Sequence, residues 1–284
     1  MDDHHASLTL QEVFMRKITL RILSALLIVT LAVGAVPTGA LAYTSAAKRI
    51  TIYNQHNTKY QDKQEWGVYD HRSNLYKAGC RLFAYAHAIE WLTGKKAGEK
   101  LLRQLLTACC SPSNNYGHEY SGCKKSPYKH DDSKDAYNAL AKKVYGLTAK
   151  NQKITVSASS LRSFFDEGKV AIGTIGSHMV LAVDYVVCDK NLNVVKLKKG
   201  QSIPSGCTMY VQIIDSSADT STAKGALFYN KFYTMKSQRL VKGGKTLSGG
   251  SHSGQEYWVE LATLKKKFSV SSVLSGGKWK GHSY

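Results

Sequence analysis

Acidic residues are scarce in this chain of 284 residues, where 20 Asp and Glu stand against 39 Lys and Arg and the formal net charge is +19. Such an excess of positive charge indicates polyanionic surroundings. No nucleic-acid-binding motif accompanies the lysines, so we expect anionic cell-wall polymers rather than nucleic acid as the partner. The alternative is that the charge serves solubility alone.

The chain also lacks a second apolar run of membrane-spanning length. The first run, residues 22–36, follows the basic residues 15–21 and precedes the small-residue site Ala40-Leu41-Ala42. This order predicts a secretory signal peptide over residues 1–42, and the run is short for a span of about 20 residues. The alternative is a retained N-terminal anchor. We expect one domain over residues 43–284 that is secreted, extracellular or cell-wall associated, has no membrane span after signal removal and is a monomer.

Positive charge is missing from residues 1–14, which carry Asp2, Asp3 and Glu12 instead. A signal peptide begins with a basic segment. We therefore expect Met15 to be the true start and residues 1–14 to be a mis-called beginning of the gene.

A standard zinc-ligand spacing is absent as well. The cluster Cys109, Cys110, His118 and Cys123 matches no usual ligand pattern. The sequence predicts neither a metal nor another cofactor.

The six cysteines are Cys80, Cys109, Cys110, Cys123, Cys188 and Cys207. Export permits disulfides. Cys188 ends one apolar run and Cys207 begins the next, so we expect a disulfide between them across a hairpin. Cys123 would pair with Cys109 or Cys110. If one cysteine is a working thiol, at least one further cysteine stays unpaired in a monomer.

Hydrophobic periodicity changes along the chain, from helical spacing to strand spacing. Helices are predicted over residues 80–92, 98–107, 132–145 and 157–168, and strands over residues 170–175, 179–187, 209–214, 228–235, 257–261 and 268–274. Residues 216–254, rich in Ser, Gly and Lys, are predicted to be loops. Helices followed by strands predict an α+β fold in which an N-terminal helical half packs on an antiparallel sheet.

Three residues in this pattern can carry nucleophilic chemistry. Cys80 follows Gly79 at the start of a predicted helix, where the helix dipole favours a thiolate. His178 opens a strand after Gly-Ser and can serve as a base. Asp215 closes the next apolar strand, so a hairpin would place it beside His178 to orient the imidazole. The competing interpretations are a disulfide or buried cysteine, a surface histidine and a turn aspartate.

The order Gly-Cys at a helix start, then Gly-x-His with a hydrophobic strand, then strand-Asp resembles the papain-like cysteine peptidases. The closest likeness is to the bacterial branch related to the bacteriocin-processing, double-glycine leader peptidases. Residues 60–69 with Trp66-Gly67, the helix ending in Leu92-Thr93-Gly94 and residues 161–175 extend the likeness over most of residues 50–220.

The resemblance implies a papain-like fold with Cys80 as nucleophile, His178 as base and Asp215 as orienting residue. It also implies an amide side chain about six residues before the nucleophile that helps to stabilise the oxyanion, a position held here by Asn74. This sequence departs from the family pattern at Arg81, which replaces a small residue, and in the long segment between Cys188 and Cys207.

The function expected from these observations is a secreted cysteine peptidase or amidase that hydrolyses a peptide or amide bond through a thioester at Cys80. One alternative is a catalytically inert papain-like module that binds anionic cell-wall polymers. Another is a peptidoglycan amidase or endopeptidase, which would use the same nucleophile on a peptidoglycan substrate.

Overall fold

The structure is a computed structural model that describes residues 45–68, 73–110, 134–219, 231–243 and 252–282. The described residues form one compact unit. The predicted signal peptide, residues 1–42, lies outside the described residues.

The helices, in chain order, are α1 Ala46–Arg49, α2 Lys63–Trp66, α3 Leu75–Ala78, α4 Cys80–Thr93, α5 Glu99–Cys110, α6 Lys134–Tyr145, α7 Ala158–Asp166 and α8 Leu261–Leu264. A 3-10 turn, Thr58–Gln61, precedes α2. The strands are β1 Gly67–Val68, β2 Ser73–Asn74, β3 Thr148–Asn151, β4 Lys169–Ile175, β5 His178–Cys188, β6 Thr208–Asp219, β7 Phe232–Lys236, β8 Arg239–Lys242, β9 His252–Glu260 and β10 Phe268–Ser275.

Eight of the strands form a single sheet in the order β3-β10-β4-β5-β6-β9-β7-β8. Every described pairing within the sheet is antiparallel. Successive side chains of a strand point to opposite faces, so the central strands supply two cores. The molecule is therefore an α+β protein built on an eight-stranded antiparallel sheet. Neighbouring strands in this sheet are not always consecutive in the chain.

Helices cover both faces of the sheet. On one face α4, α5 and α6 pack against Ile172, Leu181 and Ile214 in the larger core cluster. On the opposite face α7 and α8 pack against Val180 and Ile213. The predicted helical half is therefore correct for the first face, whereas the helix over residues 157–168 lies on the second face.

Local sequence explains where the central helices begin and end. In α4 the backbone turns at Gly94, whose φ of 66° lies in the left-handed region that glycine tolerates. In α7 the Ser157 hydroxyl accepts the N–H of Ser160, and the Ser160 hydroxyl accepts the N–H of Ser157 in a capping box.

Two predictions about the β part are wrong. The loop predicted over residues 216–254 contains the end of β6, the whole of β8 and the start of β9. In β8 a single buried residue, Leu240, lies among exposed neighbours, so the strand carries too few apolar residues to be recognised. The short strand β3 was likewise not predicted, because Ala149 alone is buried in it.

The predicted Cys188–Cys207 disulfide is also wrong, because both thiols are free. Strand pairing places Cys188 opposite Thr208, so the adjacent Cys207 points to the other face of the sheet. Cys188 packs with Tyr210 and Trp258, whereas Cys207 packs against the opposite core. The proposed partners of Cys123 lie outside the described side chains.

Candidate active site

The candidate nucleophile, Cys80, is the first residue of α4 and is half-buried. Its thiol is not in a disulfide. Gly79 before it has no room for a side chain, since a Cβ there would lie 2.5 Å from the carbonyl oxygen of Leu75 and 2.8 Å from Cε2 of Phe83. This close approach lets the short helix α3 stack directly before α4 and fixes the position of the thiol.

No side chain caps α4 at Gly79. The backbone N–H groups of the first turn are therefore not claimed by a capping hydroxyl or carboxylate, and they carry the positive end of the helix dipole. A negative charge on the sulfur, or on an oxygen bound next to it, is favoured at this position.

His178 lies at the start of β5, directly after a tight hairpin that requires a φ of 62° at Gly176. Its Nε2 lies 2.7 Å from Oδ1 of Asp215. The same imidazole lies beside the thiol of Cys80, close enough for the two groups to interact. Because Nε2 is taken by the carboxylate, Nδ1 is the nitrogen available to the sulfur. The structure thus brings together Cys80, His178 and Asp215.

Asp215 is fully buried and accepts three hydrogen bonds. Besides the imidazole of His178, the N–H of Ser217 donates to Oδ1 at 2.8 Å and the hydroxyl of Tyr257 donates to Oδ2 at 2.9 Å. Burial alone would raise the pKa of this carboxyl, but the charge of His178 and these hydrogen bonds lower it below its ordinary value. Asp215 is therefore ionised at neutral pH.

The environment of His178 favours the charged imidazolium. Burial lowers its pKa, but the carboxylate of Asp215 and the thiol of Cys80 outweigh burial and raise the pKa above the ordinary value of 6.5. An imidazolium held beside the sulfur would stabilise a thiolate, so the three groups have the arrangement that a thiolate–imidazolium–carboxylate array needs.

Asn74 is engaged in local structure rather than with the array. Its Oδ1 accepts the N–H of Lys77 at 3.1 Å and caps α3, and its Nδ2 donates to the carbonyl of Gln61 at 2.6 Å. Within the described residues, no hydrogen bond joins Asn74 to Cys80 or His178. Its amide holds the segment that leads into the nucleophile, and an oxyanion role would depend on its second amide hydrogen.

Gln55 is not among the predicted site residues. It connects the segment that carries Asp215 to the segment that precedes Cys80. Its N–H donates to the carbonyl of Ser216 at 2.8 Å, and its Nε2 donates to the carbonyl of Tyr76 at 3.3 Å. Its Oε1 accepts the hydroxyl of Ser216 at 3.3 Å. Gln55 thereby ties the residue after Asp215 to the segment before Cys80. It stands 25 residues before Cys80 in the chain, so sequence distance gave no signal for it.

His56 reinforces the same connection. Its Nε2 lies 2.6 Å from the hydroxyl of Ser217, and its ring contacts Tyr76 edge-on with centroids 4.8 Å apart. Ser217 in turn donates its N–H to Asp215. The polar segment before α2 is therefore part of the framework around the carboxylate.

Arg81, the residue that follows the candidate nucleophile, reaches across to the strand that carries the histidine. Its Nε donates to the sulfur of Met179 at 3.3 Å, and the side chain is half-buried. This contact places a guanidinium next to the residue that follows His178 in the chain.

Within the described ranges, no group of three or more His, Cys, Asp and Glu residues is arranged to hold a metal ion. The hypothetical zinc cluster of Cys109, Cys110, His118 and Cys123 lies outside the described side chains. In the same part of the chain, no helix has the length and apolar character of a membrane span.

Comparison with known proteins gives no relative. No family model matches the chain, and neither the curated proteins nor the solved structures contain a significant match.

Proposed function

We propose that this protein is a cysteine hydrolase of papain-like architecture, which cleaves a peptide or amide bond through an acyl-thioester at Cys80. The observation that carries the proposal is the position of His178, whose imidazole contacts both the Cys80 thiol and the Asp215 carboxylate. A reduced thiol at the start of a buried helix supports a working nucleophile over an inert fold. Because the sequence predicts a signal peptide, the proposed site of action is the cell exterior.

The first half of the reaction forms the thioester. The Cys80 thiolate attacks the carbonyl carbon of the scissile bond, and the electron pair of the carbonyl moves to oxygen. The backbone N–H groups at the start of α4 stabilise that oxyanion. When the tetrahedral intermediate collapses, the C–N bond breaks and the imidazolium of His178 gives its proton to the departing amine.

The second half releases the acid product. His178, now neutral, takes a proton from a water molecule as that water attacks the thioester carbonyl. Collapse of the second intermediate breaks the C–S bond and restores the Cys80 sulfur and the protonated imidazole. Asp215 keeps the ring oriented and stabilises its charged form throughout, and it does not itself become protonated.

The experiment measures the rate at which iodoacetamide alkylates Cys80 at neutral pH, together with hydrolysis of a library of peptide amides. We expect fast alkylation of Cys80, loss of hydrolysis in Cys80→Ala, and slow alkylation of Cys80 in His178→Ala. Cys207 is the internal control, because it is a half-buried thiol packed against the core on the other face.

The proposal fails if Cys80 reacts no faster than Cys207, or if Cys80→Ala retains full hydrolysis. If the protein lowers the turbidity of a suspension of cell walls, its substrate is peptidoglycan. If it cleaves only the peptide library, its substrates are proteins.

A further inference from the structure

We propose that one end of the sheet, remote from the candidate active site, is a binding surface for a linear phosphodiester polyanion of the cell exterior. We call this surface the basic platform. It consists of residues 189–199, which follow β5, and residues 236–240, which comprise the end of β7, the two-residue turn and the start of β8.

The basic platform concentrates positive charge that is open to solvent. Its exposed cations are Lys190, Lys196, Lys198, Lys199, Lys236 and Arg239. It contains a single acidic residue, Asp189. Asp189 makes hydrogen bonds within the basic platform, because its Oδ1 accepts the N–H groups of Asn191 and Asn193 at 2.9 Å. Glu167 lies near Lys199 and Asp189 lies near Arg239, so the six cations outnumber the acidic groups close to them.

The two segments of the basic platform are fastened to each other. The N–H of Val194 donates to the carbonyl of Gln238 at 2.9 Å, and the N–H of Leu240 donates to the carbonyl of Leu192 at 2.8 Å. Nε of Arg239 donates to the carbonyl of Asn191 at 3.1 Å. The backbone segments that carry these cations are thus held together, so the spacing of the cations along the surface is set before a ligand binds.

Buried side chains anchor the longer segment to both faces of the sheet. Leu192 and Val194 pack on the cluster that contains Cys188 and Trp258. Leu197 is buried in the core on the opposite face. The segment therefore straddles the end of the sheet, and Lys196 and Lys198 project outward on either side of Leu197.

Unfavourable backbone conformations are concentrated in the basic platform. Leu192, Ser237 and Gln238 have φ values of 66°, 44° and 65°. Among the described residues, they are the non-glycine residues with positive φ. A two-residue hairpin turn of this kind normally contains glycine or asparagine. Strain of this kind persists where surrounding contacts impose it, and it gathers at functional positions.

The composition of the basic platform favours phosphodiester ligands. Five of its six cations are lysines, whose compact ammonium groups bind phosphate oxygens as point charges. No aromatic residue occurs in residues 189–199 or 236–240. Binding to single-stranded nucleic acid usually includes bases stacked on aromatic side chains, so the array suits a polymer of phosphodiesters without bases.

The basic platform is well separated from Cys80, His178 and Asp215. His178 opens β5 and Cys188 ends it, 10 residues later. At about 3.3 Å per residue the two ends of this strand lie about 33 Å apart. A polymer bound at the basic platform leaves the candidate active site open, so the surface would tether the enzyme to the cell exterior while the site works.

The test uses fluorescence anisotropy of labelled poly(glycerol phosphate) of uniform length, titrated with the secreted protein at physiological salt. Lys190→Gln, Lys198→Gln and Lys199→Gln combined should weaken binding by about tenfold or more. The matched control combines Lys265→Gln, Lys266→Gln and Lys267→Gln, three exposed lysines in another loop. It removes the same charge and should change binding by less than about twofold.

Equal weakening by the two triple variants would overturn the proposal, since it would assign binding to net charge alone. Wild-type affinity for single-stranded DNA or for anionic vesicles equal to that for the polymer would overturn the assigned ligand class. Thermal unfolding and the rate of Cys80 alkylation should be unchanged in both variants, which shows that any loss of affinity comes from the surface.

Discussion

At the scale of single residues, the carboxylate of Asp215 sets the properties of the candidate site. It is a buried charge that three donors hold in place, and one of these donors is the hydroxyl of Tyr257 on β9. A hydrogen bond to a charged group contributes about 1.5–3 kcal/mol to stability. The orientation of the imidazole therefore depends on a tyrosine that takes no part in the proton transfers.

Tyr257→Phe removes this donor and leaves the shape of the side chain intact. We expect the free energy of unfolding to fall by about 2 kcal/mol, and the alkylation rate of Cys80 to fall, because the carboxylate holds the imidazole less firmly. Urea denaturation and alkylation kinetics measure the two effects.

The matched control is Tyr185→Phe, since Tyr185 is also buried and its hydroxyl donates to Asp166 at 3.0 Å. It should lose stability without a change in alkylation. Equal alkylation rates in wild type and Tyr257→Phe would show that Tyr257 does not position the array.

The pairing of Asp215 with His178 also predicts how stability depends on pH. The raised pKa of His178 means that the imidazolium's contribution is complete below pH 6.5 and is lost as pH rises toward its folded pKa of about 10. The lowered pKa of Asp215 means that its contribution is present above its ordinary pKa of 3.8 and is lost as pH falls below that value. The pair therefore stabilises the fold most between these limits.

Asp215→Asn should cost about 3–5 kcal/mol at pH 6, because it leaves a buried imidazole without its counter-charge. The difference from wild type should shrink steadily as pH rises toward 10. Urea titrations of both proteins across this range test the slope, and titrations common to the two proteins cancel in the difference. A difference that stays constant with pH would contradict the charged pair.

At the scale of elements, the capping box of α7 offers a test away from the site. The hydroxyl of Ser157 accepts the N–H of Ser160 at 3.1 Å. Ser157→Ala should lower the free energy of unfolding by about 1 kcal/mol, while Cys80 alkylation stays the same because α7 lies on the other face of the sheet.

Ser159→Ala, in the exposed first turn of the same helix, provides the control for Ser157→Ala. It should change stability by less than about 0.5 kcal/mol. A loss in Ser159→Ala as large as that in Ser157→Ala would mean that helix propensity, and not the cap, accounts for the effect.

Elements with strong periodicity or clear caps were predictable from sequence. The helix from Cys80 ends at Gly94 as its stop signal indicated, and strands β4, β5 and β10 lie close to their predicted positions. Strand β8 was not predictable, since it is stabilised by tertiary contacts such as the hydrogen bond from Leu240 to Leu192. Local sequence carries no trace of such a contact.

For the candidate site, the hairpin argument placed Asp215 beside His178, and this neighbourhood is what the structure has. The same hairpin misled the disulfide prediction, because a register that differs by one residue sends Cys188 and Cys207 to opposite faces. Gln55 and Tyr257 come close to Asp215 only when distant segments of the chain fold together, so no spacing in the sequence indicates their role.

At the scale of the whole molecule, Glu90 connects the segments before and after α4. Its Oε1 accepts the hydroxyl of Tyr53 and the N–H groups of Ala97 and Gly98, and its Oε2 accepts the N–H of Thr51 at 2.6 Å. The carboxylate is fully buried. Four donors converge on this group, so it organises the chain around the helix that carries the nucleophile.

Glu90→Gln should destabilise the fold by about 2–4 kcal/mol, because an amide presents hydrogens to a donor that needs an acceptor, and the buried donor stays unpaired. Urea denaturation measures this loss. Glu260→Gln is the control, since that carboxylate makes no capping hydrogen bond to α8 and should be nearly neutral. Equal stability of Glu90→Gln and wild type would show that the four donors do not require a carboxylate.

The β5–β6 hairpin has one more consequence. Its paired strands align His178 with Asp215, and this alignment depends on register and not on the length of the connection, residues 189–207. The exposed positions of the connection can therefore be recharged without moving the histidine or the aspartate, provided that Leu192, Val194 and Leu197 keep their places in the cores. On the two proposals above, one hairpin would carry the chemistry at its open end and the polymer binding at its closed end, and substitutions at one end would leave the other unchanged.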